Sequence, residues 1–186
     1  MSDRSGSRPG GRSARVRSAV LDAADRLVAL DTHAITVRAL SVLSGVSEPT
    51  IYRRWRSADG VVLDAAQRYL SEALPLRATG NLDRDVRRWA ESVQRGFGSP
   101  LGRIFVPTLA RVGPGGRGQV GARAFAAERL KQIDDLLLAD GAPGWLTPDR
   151  LFDKVVAPLY ARQLFGMPTT LKLARGLAAE ALTPPS

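Results

Sequence analysis

The chain has 186 residues, is 44% hydrophobic and carries a formal net charge of +9, with one histidine and no cysteine. That length holds one large domain or a small domain joined to a larger one, and the apolar fraction supports a packed core. The missing cysteines exclude a disulfide framework and thiolate metal sites, and the lone His33 excludes a histidine metal cluster within one chain and leaves Ser-His-Asp catalysis without support.

No apolar run approaches the ~18 residues of a membrane span, and Met1 to Ser18 lack the apolar core of a secretory signal. A cytoplasmic protein with no membrane partner is expected. No stretch alternates apolar and polar residues over a strand length, so the fold is read as all-α, with about nine helices. Residues 1–60 hold ten Lys/Arg against six Asp/Glu, and residues 61–186 hold seventeen against twelve. The excess is spread over the whole chain, so it favours an acidic partner without locating it.

In chain order, residues 1–13 read as a basic, Gly/Pro/Ser-rich disordered arm, either merely solvated or able to reach a DNA backbone or minor groove. An apolar stripe at helical spacing follows, from Val16 through Val20, Ala24 and Leu27 to Val28. That helix should end near Asp31 and His33. A second opens at Thr36, whose hydroxyl can cap it, with Val37 and Leu40 inward. Gly45 can adopt the left-handed backbone that breaks this helix, Ser47 is placed to cap a third, and Pro49 falls in its first turn. A fourth should run from Asp59 to about Leu74, burying Val62, Leu63, Ala66 and Leu70. Further helices are expected near 82–97, 101–111, 120–139, 148–165 and 169–182, with Pro107 and Pro158 kinking or shortening two of them.

Residues 36–56, TVRALSVLSGVSEPTIYRRWR, are laid out as helix, glycine-centred turn and helix. At about 100° per residue from Ile51, Trp55 lies at about 40° and Arg54 at about −60°, while Arg53, Pro49 and Arg56 lie at about 200°, 160° and 140°. Thr50 and Tyr52 fall on the flanks. Ile51 and Trp55 would anchor the helix, leaving a face of arginines, hydroxyls and a proline. That chemistry suits a major groove, where arginine can bond guanine in bidentate fashion and proline can touch a thymine methyl. An ordinary solvated basic helix would show the same residues.

Taken in order, VLDAADRLVAL, ITVRALSVLSGVS and GVSEPTIYRRWRSADGVVLDA, within residues 16–66, resemble the DNA-binding domain of the TetR family of transcriptional regulators. The resemblance implies a DNA-binding domain over 14–57 and an effector-binding, dimerising domain over 58–186. It also implies that Thr36 caps near a phosphate, that Arg38 reads or braces DNA, and that Ser47, Glu48, Pro49, Thr50, Tyr52, Arg53 and Arg54 match the recognition helix, with Tyr52 on a phosphate. Three positions depart from the family pattern. The glycine that usually ends the first helix is absent, leaving Asp31 or His33 to turn the chain; Val42 and Leu43 replace polar residues; and Ala58 replaces a phosphate-binding lysine, whose charge Arg56 restores two residues earlier.

Residues 75–186 resemble the family in layout and in DRLFDKVVAPLYARQLFG. By that resemblance the last two long helices pair with those of a second copy. Leu151, Val155, Val156, Leu159, Tyr160, Gln163, Leu173, Leu177 and Ala178 are candidates for that interface, although the same stripes would equally fill one subunit's core. A cavity for an unknown small-molecule effector would be lined by residues such as Leu63, Tyr69, Trp89, Phe97, Phe105, Leu109, Phe125 and Leu130, with Gln67, Gln94 or Arg162 as polar groups. Each of these could also be plain core.

The run GRGQVG at residues 116–121 satisfies GxGxxG, but no predicted strand precedes it, so it reads as a connector. Asp134 and Asp135, like Asp22 and Asp25, read as solvated helix faces, and no carboxylate pair has the companions of an acid/base site. No cofactor and no enzymatic activity are expected. The reading that emerges is a homodimeric repressor, released from a pseudo-palindromic double-stranded DNA operator by its effector. A non-specific or architectural DNA binder is the alternative.

Overall fold

Helix-forming stretches separated by Gly, Pro and capping residues give an all-helical protein. The computed structural model describes residues 9–30, 35–73, 76–112 and 119–185. Its described residues form nine helices and no strand: α1 (Pro9–Ala29), α2 (Val37–Ser44), α3 (Glu48–Trp55), α4 (Ala58–Ala73), α5 (Leu82–Gly98), α6 (Pro100–Arg111), α7 (Gln119–Ala139), α8 and α9 (Leu171–Ala181). Helix α8 runs unbroken through Pro148–Leu151, a π-helical turn Phe152–Val156, and Ala157–Leu164.

Helix α1 begins earlier than the composition suggests, since Pro9 to Ser13, expected in the disordered arm, are helical. Proline suits a first helical turn because its missing N–H would be unpaired there anyway. The turn around Asp31 and His33 and the first half of the GRGQVG run lie outside the described residues; Gln119 to Gly121 of that run begin α7. Pro107 lies inside α6. Before Pro158, whose ring and missing N–H cannot complete a regular α turn, the backbone widens into the π turn.

Two apolar clusters organise the chain. Val20, Leu21 and Leu27 of α1, Val37 and Leu40 of α2, Ile51 and Trp55 of α3, and Val61 and Ala65 of α4 form the first. Leu63 and Ala66 of α4 join the second, with Val86, Trp89 and Phe97 of α5, Leu101 and Phe105 of α6, Ile133 and Leu137 of α7, and Leu151, Val155 and Leu159 of α8. Alanines 174, 178 and 181 form the buried face of α9, and small side chains there let it lie close against α5. The helix α4 therefore belongs to both clusters, its neighbouring residues facing opposite cores.

Polar contacts fix α4 against the first three helices. The Asp64 carboxylate accepts Nε1–H of Trp55 at 2.8 Å and Nε of Arg17 at 3.0 Å, so one side chain of α4 holds both α3 and α1. One turn later Arg68, mostly buried, pairs with Asp22 and Asp25 of α1, each at 2.6 Å. Those two aspartates are half-exposed, yet they act as an anchor for α1 rather than as a purely solvated face.

Replacing Asp64 with Ala leaves the Trp55 indole N–H and the Arg17 guanidinium without their acceptor. The expected loss is about 1–3 kcal/mol of stability, read as a lower urea midpoint at unchanged slope. An unchanged midpoint would show that the clasp does not hold the three helices.

Candidate DNA-binding surface and internal cavity

The turn between α2 and α3 is built locally. Thr36 caps α2 through its Oγ1, which accepts Ala39 N–H at 3.1 Å, and Gly45 ends the helix with φ 68°, its N–H donating to the Ser41 carbonyl. Ser47 starts α3 differently from expectation. Its hydroxyl makes no backbone cap and lies 3.0 Å from the Thr50 hydroxyl, while its carbonyl accepts the N–H groups of Thr50 and Ile51. Glu48 and Pro49 occupy the first turn, where a carboxylate suits the positive helix end and proline costs no hydrogen bond.

Ile51 is fully buried and Trp55 is 9% exposed, whereas Pro49, Tyr52, Arg53, Arg54 and Arg56 are exposed and Glu48 and Thr50 half-buried. Thr36, Arg38 and Ser47 are also exposed. Among the described residues Arg38, Arg53 and Arg56 make no ion pair. Arg54 differs: its Nη1 donates to the carbonyl and hydroxyl of Ser13 at 3.1 and 2.7 Å, and its guanidinium stacks 5.2 Å from the Trp55 ring centroid. It braces α3 against the start of α1. Arg56 closes α3 with φ 66°, a left-handed conformation that costs a non-glycine residue about 1–2 kcal/mol. Val42 is 76% exposed and Leu43 39% exposed, so the apolar departures on α2 are not absorbed into the core.

The junction of α3 with α4 has no slack. A Cβ at Gly60 would lie 2.2 Å from the Trp55 carbonyl oxygen, so only glycine lets the two helices meet this closely. The first turn of α4 is also tied to α6, because Arg111 donates to Asp59 at 2.8 Å.

Between α4, α5, α6, α7 and α8 lies a cavity of about 420 Å³. Tyr69, Trp89, Phe97, Phe105, Leu109 and Phe125 line it, together with Tyr160, which the sequence had suggested for an interface. Leu63 and Gln67 instead border a second cleft of about 390 Å³ beside Trp55, Arg56 and Asp64. Arg162 is not a cavity residue, since its Nε donates to the Pro168 carbonyl at 3.0 Å, and Gln94 donates to the Thr169 carbonyl. Leu130 is not among the lining residues.

The charged lining residue that sequence reasoning missed is Arg129, 8% exposed, whose guanidinium burial pushes its pKa down to about 10 against the pull of Glu128. A signal was available, for Arg129 interrupts the apolar i, i+4 row Phe125, Ile133, Leu137 on α7. Nη1 of Arg129 donates to Gln132 Oε1 at 2.6 Å. No carboxylate among the described residues lies within ion-pair distance of it. Burial also raises the Tyr160 phenol pKa.

The interface candidates divide. Leu151, Val155, Leu159 and Ala178 are fully buried within the subunit and cannot meet a second copy. Val156 lines the cavity, while Gln163, Leu173 and Leu177 remain partly accessible. The apolar groups standing out at the α8–α9 end are others: Leu164, Phe165, Met167 and Leu171, with Phe165 76% exposed.

No family profile matches the chain. Over 139 residues, 73% of this chain, it is 25% identical to the HTH-type transcriptional regulator AqdR of Rhodococcus erythropolis, and the match spans 66% of that protein's length. A Clostridium perfringens protein described as a fatty acid metabolism regulator superposes with a TM-score of 0.51 at 12% identity, covering 88% of this chain and 96% of its own, which shows a shared all-helical fold. Helix-turn-helix geometry and similarity to a transcriptional regulator together support a DNA-binding regulator.

Proposed function

We propose that the chain is a dimeric, sequence-specific repressor of the TetR kind, in which residues 14–57 read DNA and residues 58–186 bind an effector and a second copy. The observation that carries this reading is the placement of α3. Ile51, Trp55 and Asp64 pin one side, while Pro49, Tyr52, Arg53 and Arg56 stand free on the other. Two such helices in a two-fold dimer would enter successive major grooves about 34–36 Å apart.

The arrangement of α4 and α6 supports control by a small molecule. Ala66, Tyr69 and Leu70 of α4 and Leu101, Phe105 and Leu109 of α6 line the cavity, and Arg111 ties α6 to the first turn of α4. A ligand that fits only a displaced α6 would shift α4, and the Gly60 contact would carry that shift into α3. The two recognition helices would then be held at the wrong spacing, and DNA would be released by population shift. For a second copy, the exposed Leu164, Phe165, Met167 and Leu171 supply the apolar surface.

DNA selected from a random pool by the full chain should yield a pseudo-palindrome, retained over random DNA at the same salt. Equal retention of both would favour the non-specific reading. Arg53→Ala is expected to cost about 1–3 kcal/mol of operator affinity and to relax preference at one position of each half-site, measured by mobility shift at fixed salt.

Phe165→Glu should convert a dimer to a monomer in sedimentation and weaken operator binding in parallel. A dimer unaffected by that charge would place the interface elsewhere.

A further inference from the structure

The cavity's polar groups are unevenly committed. Ser99 Oγ donates to the Gly96 carbonyl at 2.7 Å and accepts Gly102 N–H at 3.0 Å, and Tyr160 OH donates to the Val106 carbonyl at 3.4 Å. These hydroxyls are occupied within the protein. Trp89 is 3% exposed, and its Nε1–H is buried without a hydrogen-bond partner. That N–H is closed off by its own neighbours and offers no accessible surface to an occupant. Arg129 brings five N–H donors and a full positive charge to the same wall, with only the neutral Gln132 oxygen against its Nη1.

The rest of the wall is apolar: Tyr69 and Leu70 from α4, Val93 and Phe97 from α5, Phe105 from α6, and Ile133 beyond Arg129 on α7. A purely apolar occupant would leave the guanidinium's charge uncompensated. A cation would be repelled by Arg129. A dianion or a polyol would strand further polar atoms against the aromatic rings. At about 30 Å³ for each water-sized group, the volume takes on the order of a dozen non-hydrogen atoms.

We propose that the cavity binds a monoanionic, otherwise apolar organic acid, whose carboxylate is held by Arg129. The inference deepens the effector reading above, on which only its regulatory meaning rests. A carboxylate beside Arg129 would oppose the burial that lowers its guanidinium pKa.

The test uses the full chain with two probes of nearly equal shape, phenylhexanoate and phenylhexanol, each titrated directly by isothermal calorimetry. The carboxylate is expected to bind roughly 10–100-fold more tightly than the alcohol, the range of one charged hydrogen bond. Arg129→Gln should erase that preference while alcohol binding persists, and Arg129→Lys should retain part of it. Circular dichroism and alcohol binding confirm that each variant is folded, and should Arg129→Gln not fold, the wild-type preference and Arg129→Lys decide. Equal binding of the two probes, no binding of either, or a preference that survives Arg129→Gln overturns the proposal.

Operator release is measured separately. Arg129-dependent carboxylate binding that leaves operator DNA bound would preserve the ligand chemistry and remove the effector reading. Release of operator by the alcohol, with no preference for the acid, would do the reverse.

Discussion

A carboxylate on α4, accepting the Trp55 indole N–H and the Arg17 guanidinium, decides whether α3 has a fixed position. An eight-residue helix is not stable alone in water, because nucleation costs more than so few hydrogen bonds return. What makes α3 rigid is tertiary: Ile51 and Trp55 in the first core, the Asp64 clasp behind them, and Arg54 reaching to Ser13. A helix held in this way can meet DNA without first losing its own freedom, and the ordering cost of binding falls accordingly.

The same helix that supplies Asp64 also supplies Ala66, Tyr69 and Leu70 to the cavity. Its two faces cannot be repacked independently, since Ala65 lies in one core and Ala66 in the other. The carbonyl of Trp55 sits against Gly60 with no room for a methyl group, so relative sliding of α3 and α4 is blocked. These constraints make α3 and the first turn of α4 one mechanical unit, with Arg111 of α6 attached to it by an ion pair. To swing such a unit from 1:99 to 99:1, a ligand needs about 10⁴-fold preference for one arrangement. Pairing the buried Arg129 charge supplies roughly 10–100-fold of that, and the rest must come from how well the apolar wall fits the ligand in one arrangement and not the other.

Much of the first half was legible in the sequence because its signals are local. Thr36, Gly45 and Pro49 are helix punctuation, and the angular count on α3 places Ile51 and Trp55 inward, as their burial shows. The Asp64 clasp was not legible, since it joins residues far apart in the chain and an aspartate on a helix has no periodic signature. Nor could periodicity distinguish a subunit's own core from a surface for a second copy. Leu151, Val155 and Leu159 share one stripe and all face inward, while Phe165 and Met167 stand out just beyond the last turn of α8. Arg162 was misplaced for a related reason: residues at a helix end can fold back onto the next loop, as its bond to Pro168 does. Arg129 went unnoticed because a lone arginine in an apolar row looks like a surface residue until a neighbouring helix covers it.

The overall charge of +9 gave no address, but the pattern of ion pairs supplies one. In α4 to α9, Arg87 pairs with Asp83, Arg95 and Arg175 with Glu91, Arg111 with Asp59, Lys131 with Asp135 and Lys154 with Glu180. At the other end Arg17 and Arg68 are engaged by the aspartates that bind α1 to α4. Exposed arginines such as Arg88, Arg103 and Arg123 also lack an ion pair among the described residues, but they are dispersed over α5, α6 and α7. Arg38, Arg53 and Arg56 fall within one helix-turn-helix, beside the exposed Tyr52 and Thr36. Charges already paired must be separated before they can meet a phosphate, whereas these three need only shed water. The surplus that the composition spreads over the whole molecule is thus most readily used where the backbone presents a short, braced helix.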